Sequence, residues 1–272
     1  MIRRPIVAGQ FYPGSPAELE HEVRTYLAQA PRRTEPATGS TLLAMVPHAG
    51  YVYSGRVAGI TLGQADLADT ILLLGPNHTG MGTPFSVWHE GAWQTPIGTM
   101  RIDSALALAL LRSDNRLLAD HLGHVREHSL EVVIPFLNVL KGDFSGVPVA
   151  VAEHGLAALS GVAASMAGVF KERGGRVSIV VSSDMSHYVT AEQARARDNM
   201  AIEAILRLDP VGLYSIVREA GISMCGVLPM TLGLMIAQEL GATTARLAAY
   251  ATSGDATGDD SSVVGYAGVL VE

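Results

Sequence analysis

The sequence contains a single cysteine, Cys225, in 272 residues. One cysteine excludes an intramolecular disulfide, so the fold is not a disulfide scaffold, and a reducing compartment is its expected setting. Charge is also scarce, at 17%, and aromatic residues make up 6%. The net charge of −7 comes with no basic run, which argues against a nucleic-acid surface. An anionic small substrate is not excluded, because a local pocket can oppose the global charge. Apolar runs are broken by Gly, Pro, Asp or Ser before they reach bilayer-spanning length. The opening MIRRPIVAGQFYPGS has no apolar stretch of signal-peptide length. The expectation is a cytoplasmic protein with neither a membrane nor a nucleic-acid partner.

What the chain does have is apolar residues, at 48%, and 29 glycines, enough for a large core with many tight turns. TLLAMVPH, DTILLLGP, GVPVAVAEH and RVSIVVSSDMSHY read as buried strands. TARLAAYATSGD and SSVVGYAGVLVE read as the last two. Helical patterns cover Ser15 to Ala30, Gly55 to Ala68, Ser104 to Asp114 and Leu156 to Arg173, the last ending at Gly174-Gly175. Further helices are expected over Ala191 to Leu208, Pro210 to Ala220 and Leu228 to Leu240. Ser15 is the expected N-cap of the first helix and Pro16 its first residue. His128 to Lys141 is helical in pattern, with a kink or break at Pro135. FSVWHEGAWQTPIG reads as a hairpin or two short strands, and residues 31–40 as a loop. Uncharged strands alternating with helices imply an α/β fold with both sheet faces covered. No internal repeat or linker is visible, so residues 1–272 are read as one domain.

Ligands in such sheets gather at the carboxyl ends of strands. His48 (VPHAG), His78 (GPNHTG) and the Asp184/His187 pair (SSDMSHY) all fall there. Two imidazoles and the Cys225 thiolate at one spot would make a three-ligand metal site with open positions. Taken singly, each has another reading. His48 and His78 also suit turn histidines, and a lone cysteine is usually a small buried hydrophobe. Gly226 and Pro229 place Cys225 at a helix start, where the dipole would favour a thiolate. His187 is a candidate general acid or base, and Asp184 would orient it or bind substrate. In EHSLE, His128 is read as lying behind the ligands or facing the substrate. His121 and His124 are expected on an exposed helix or loop, and His21, His89 and His154 as structural. Ser182, Ser183 and Ser186 lack a G-x-S-x-G elbow, which counts against a serine hydrolase. TSGDATGDDSSVVGYAG lacks EF-hand spacing and reads as a structured turn.

AGQFYP, VPHAGYVYSG, GPNHTG, EHSLEVVIPFL, SSDMSHY, MCGVLPM and SGDATGDDSSVVGYAG, in this order, resemble the Memo family over nearly the whole chain. The resemblance implies a single-domain three-layer sandwich with a mixed, mostly parallel sheet, similar to class III extradiol dioxygenases of the LigB type. It implies metal ligation by His48, His78 and Cys225, with Cys225 where those dioxygenases carry a carboxylate. His187 would match their acid/base histidine, His128 a further active-site histidine, and Asp184 a polar residue close to the metal. Fe(II) is the first expectation, and because a thiolate is softer than a carboxylate, Cu and Zn are also admitted. Three functions are expected from this pattern. The first is a non-haem iron-dependent oxidoreductase of unknown small-molecule or peptide substrate, with a radical-SAM protein as its family-level partner. The others are a non-catalytic iron- or copper-sequestering or peptide-binding protein, and a metal-free cysteine hydrolase pairing Cys225 with His187.

Overall fold

The strands with unbroken apolar runs occupy the centre of the sheet, where neither face meets water. In the computed structural model, which describes residues 1–31, 41–174 and 176–272, the chain opens with β1 (Ile2–Arg3) and α1 (Pro16–Leu27). β2 (Leu43–Val46), α2 (Tyr51–Gly63) and β3 (Thr70–Pro76) follow. Three short strands, β4 (Phe85–Val87), β5 (Ala92–Thr95) and β6 (Gly98–Ile102), precede α3 (Ser104–Ser113). β7 (Leu118–Ala119), α4 (Leu122–Val125), a 3-10 turn (Glu131–Val133) and α5 (Ile134–Lys141) lead to β8 (Ser145–Val151). Next come α6 (Leu156–Arg173), β9 (Val177–Ser182), β10 (His187–Val189), α7 (Ala191–Leu206), α8 (Pro210–Glu219) and α9 (Val227–Glu239). β11 (Ala245–Thr252), α10 (Gly254–Thr257) and β12 (Val263–Val271) end the chain.

The strand order is β1-β5-β6-β8-β3-β9-β2-β12-β10, with β11 on β12, and β4 on both β8 and β7. The centre, β6-β8-β3-β9-β2, is parallel throughout, while β12 runs antiparallel to β2. Alternate residues of the central strands feed two cores. Leu43, Met45, Leu72 and Leu74 pack with α3, α6, α7, α8 and α9. Ala44, Val46, Ile71 and Leu73 pack with α1, α2 and α5. The result is the α/β sheet covered on both faces that the residue pattern implies, in the three-layer, mixed and mostly parallel form that the family resemblance implies.

Several local expectations shift. The helix expected from Gly55 begins four residues earlier, at Tyr51, and stops at Gly63. FSV and AWQT do not pair with each other. β4 joins β8, and AWQT makes its hairpin with Gly98–Ile102 instead. The helix expected from His128 starts only at Ile134, and Pro135 marks a break rather than a kink, standing in the first turn of α5, where its missing N–H costs nothing. The loop expected over residues 31–40 lies outside the described residues apart from Pro31, as does Gly175. Gly174 closes α6 in the left-handed region, at φ 68°.

His124, expected to be exposed, is completely buried and donates from Nε2 to Ser86 O at 2.8 Å. It belongs to a buried clamp on the N-terminus. Arg3 bonds His124 O, Glu127 O and Glu131 Oε2, and its guanidinium lies 4.3 Å over the Trp93 ring. Glu131 also accepts from Ile6 N, Val7 N and Tyr12 Oη. A carboxylate this enclosed is stable only because every lone pair has a donor.

Two outcomes follow from the clamp. Glu131→Ala leaves Arg3 buried without its counter-charge, and a loss of about 3–5 kcal/mol in urea unfolding at neutral pH is expected. A loss below about 1 kcal/mol would show the clamp to be solvated. Burial holds His124 down to about 4 from 6.5. The unfolded chain therefore binds a proton between those values that the folded chain refuses. Stability falls as pH drops through this window, by up to about 3 kcal/mol from this residue. Urea unfolding at stepped pH reads the slope, which His124→Gln should flatten.

Candidate metal centre

β3, β9 and β2 are neighbours, parallel, and end at nearly the same level, with Val46 opposite Ser182 and Leu74 opposite Val181. His48, His78 and Asp184 each follow the last residue of one of these strands by two positions. Strand geometry alone thus delivers three polar side chains to one edge.

Each of the first two imidazoles is fixed by a buried acceptor. His48 Nδ1 lies 2.7 Å from Ser182 Oγ, which donates its own proton to Ser129 O at 2.8 Å. A hydroxyl has one proton, so Ser182 accepts from Nδ1–H, and the lone pair of His48 is at Nε2. His78 donates from Nδ1 to Glu127 Oε1 at 2.9 Å and from its backbone N to Oε2 at 2.6 Å. Its Nε2 is likewise left for another partner. Burial pushes His48 down to about 4. Burial also opposes charge on His78, but the hydrogen bond and negative charge of Glu127 outweigh it and raise the imidazole overall. Burial works against the Glu127 carboxylate too, yet His78 and the Ser129 and His78 amides hold it down to about 2.

His128 completes the group. Its ring stacks on His78 with centroids 5.1 Å apart at 22°, backed by Phe11 at 4.7 Å. One ring nitrogen from each of His48, His78 and His128 can be chosen so that all lie within 4.8 Å of one another. This is the cluster of metal-ligating type found among the described residues. His128, read from sequence as lying behind the ligands or facing substrate, therefore stands level with them.

Cys225 lies outside that triad but touches it, with Sγ 3.4 Å from His48 Nε2. Its sulfur also accepts from Asp184 N at 3.2 Å. As expected, it sits just before a helix, with Gly226 capping α9. A Cβ on Gly226 would fall 2.3 Å from Ser183 Cβ, so glycine lets this loop reach the strand end. The helix dipole does not win at the thiol. Burial, with the Asp184 charge beside it, pushes the thiol well above its ordinary range.

Asp184 Oδ1 accepts from His48 N at 2.8 Å, so it orients the loop of His48 and not His187. His187 is fixed by Ser223, whose carbonyl accepts from Nδ1 at 2.8 Å and whose hydroxyl accepts from the backbone N at 2.7 Å. That sets the proton on Nδ1 and leaves Nε2 as the basic atom. Asp184, His187 and the three histidines line one cleft of about 660 Å³.

Ser182, Glu127, Ser223 and Asp198 are the functional partners that the sequence did not reveal. Asp198 is fully buried on α7, where it accepts from Ser186 N at 2.9 Å and Tyr250 Oη at 2.8 Å. It pins the segment between Asp184 and His187. A Cβ on Gly265 would lie 1.9 Å from Asp198 Oδ2, so only glycine fits opposite. Glu127 carried one usable signal, a carboxylate directly before His128. The hydroxyls of Ser182 and Ser223 had none, because their partners are 134 and 36 residues away.

A family model described as Memo-like protein matches residues 3–270. A MEMO1 family protein of Methanosarcina acetivorans is 42% identical, over 100% of this chain and 99% of its own. Counterparts in Methanothermobacter thermautotrophicus and Aquifex aeolicus are each 39% identical, over 98% and 99% of this chain and 99% and 98% of theirs. Among solved structures, the uncharacterized protein JW3007 from Escherichia coli K12 is similar with a TM-score of 0.52 at 13% identity. That likeness covers 83% of this chain and 98% of that one, and it speaks to the fold alone.

Glu127→Gln puts an amide N–H or a neutral oxygen where two donors of His78 now meet a carboxylate. Losing such a partner typically costs a ligating histidine about 10- to 100-fold in metal affinity. Competition against a chromophoric chelator measures it, and unchanged affinity would show that His78 is not a ligand.

Proposed function

The chain belongs to the Memo family, and on that premise we propose that it is a metal-dependent oxidoreductase with Fe(II) as its metal. His48, His78 and His128 can hold a metal ion, and the reading assigns them that role, with Cys225 as the adjoining thiolate donor. The observation that carries it is the convergence of three ring nitrogens within 4.8 Å, with the Cys225 sulfur 3.4 Å from His48 Nε2. Ligand atoms bound at about 2.1 Å and 2.3 Å to one tetrahedral ion stand about 3.6 Å apart, so the His48–Cys225 spacing suits a shared metal. A mixed nitrogen and sulfur set accommodates Fe(II), Cu and Zn.

Such a metal supplies redox chemistry and an open position for substrate or O₂. The protein supplies the rest. Ser182 and Glu127 keep the Nε2 lone pairs of His48 and His78 turned away from their own acceptors. A bound metal would hold Cys225 as the thiolate, whereas the protein alone keeps the thiol proton in place. His187, with Nδ1–H held by Ser223, takes or returns a proton at Nε2 on the cleft wall. The cysteine hydrolase reading has less behind it. Cys225 touches His48 while His187 is held by Ser223, and burial favours the thiol over the nucleophilic thiolate.

Elemental analysis after anaerobic purification tests the assignment. Near-stoichiometric iron is expected in the wild type, with His48→Ala losing at least about 90% of it. His128→Ala and Cys225→Ala then rank the two further donors, and the stronger ligand gives the larger loss. Copper in place of iron favours sequestration over catalysis. A wild-type protein that takes up no metal on anaerobic reconstitution overturns the proposal.

A further inference from the structure

The cleft above the histidines has aromatic walls and negative charges, and among the described residues no lysine or arginine lines it. Phe11, Tyr53, Tyr188 and Tyr266 supply the rings, and Asp184 and Asp259 the carboxylates. We infer that the ligand of this cleft is a small organic ammonium ion, an amine or quaternary nitrogen carried on an apolar body. The inference rests on the cleft being the binding site above the metal, and it adds the sign of the ligand's charge.

The physical case is one of complementarity. Aromatic faces are negative and attract a cation within about 6 Å of the ring. A carboxylate or phosphate entering the same space would meet Asp184 and Asp259 without a fixed counter-cation, and would lose hydration with nothing in return. A dication at the three histidines does not reverse this. Its charge would be opposed by Glu127, which bonds His78, and by Asp184 and Cys225, which contact His48, whereas Asp259 belongs to the exposed rim. Hydrogen bonds from the hydroxyl and amide of Ser261 keep the Asp259 carboxyl below its usual range, so it is ionised at neutral pH.

Tyr188 adds an independent sign that the rim is used. It stands next to His187 with 81% of its surface exposed and a φ of 58°. The left-handed region is unfavourable for a bulky side chain, and solvent exposure of a large ring brings no burial to offset it. Tyr53, also exposed, lines the same opening. Two exposed aromatic rings on a cleft that Asp259 also lines are suited to contact a cation. The cleft's volume of about 660 Å³ accommodates a body of one ring and a short chain.

Three near-isosteric probes test the charge: phenethylammonium, 2-phenylethanol and 3-phenylpropionate. Each is titrated into the anaerobically purified protein by ligand-observed NMR, with metal content measured on the same samples. The ammonium ion is expected to bind best and the carboxylate worst, about tenfold or more apart. Asp259→Asn should shrink that preference about threefold or more, and Tyr188→Ala should weaken the ammonium ion, both with metal content unchanged. Equal or tighter binding of the carboxylate, no binding of any probe at millimolar concentration, or a preference untouched by Asp259→Asn overturns the inference. A metal-free protein that still prefers the ammonium ion upholds the inference and overturns the metal function. A fully loaded protein without the preference does the reverse.

Discussion

The hydroxyl of Ser182 is the point at which the site is tied together. It accepts from His48 and donates to Ser129 O, so one buried group joins the loop after β2, the end of β9 and the turn that carries Glu127 and His128. Those three segments are far apart in sequence and carry most of the candidate centre. A hydroxyl suits the position because it accepts and donates at once, and doing both removes the ambiguity of the imidazole tautomer. A carboxylate there would also accept from His48 but could not hold Ser129 O.

The same economy recurs one layer out. Glu127 fixes His78 and approaches His128, while its neighbour Glu131 gathers Arg3 and the backbone of Ile6 and Val7. The N-terminal segment is therefore fastened to the turn beside the site, and Phe11 is carried against His128. The buried charges of the clamp add little net stability after desolvation, but they remove alternatives. Without them, the wall of the cleft formed by Phe11 would have only its apolar contacts to place it.

Much of this was legible in the sequence, and the reason is strand physics. LAMV, TILLLGP and VSIVVS are uncharged because both faces of the central sheet are covered, and their ends mark where polar residues must surface. His48, His78, Asp184 and His187 could be placed in one region on that ground. Short elements gave less. β4 and β5 are three and four residues long, too short for alternation to choose a partner, so the sequence left open a hairpin or two short strands, and the second is found. His124 was expected on an exposed helix or loop, yet the rings of Trp88 and Trp93 pack edge-on against it and Ser86 O accepts from its ring, contacts up to 38 residues away. The His128 ring could not be separated from a substrate-facing one, since its position depends on the stack against His78.

Cys225 illustrates how local sequence and tertiary setting can pull in opposite directions. A helix start argues for a thiolate, by a dipole effect of about 1 kcal/mol. Burial and the Asp184 carboxylate argue for the thiol, and they win in the protein without metal. The thiol then shares the lone pair of His48 Nε2, the atom a metal would use. A metal ion held by His48 and Cys225 would reverse both conditions, since it would supply the positive charge that burial withholds and favour the thiolate. On the proposed reading, proton and metal would compete for these two atoms, and the contact that is a neutral hydrogen bond without the ion would become a pair of ligands with it.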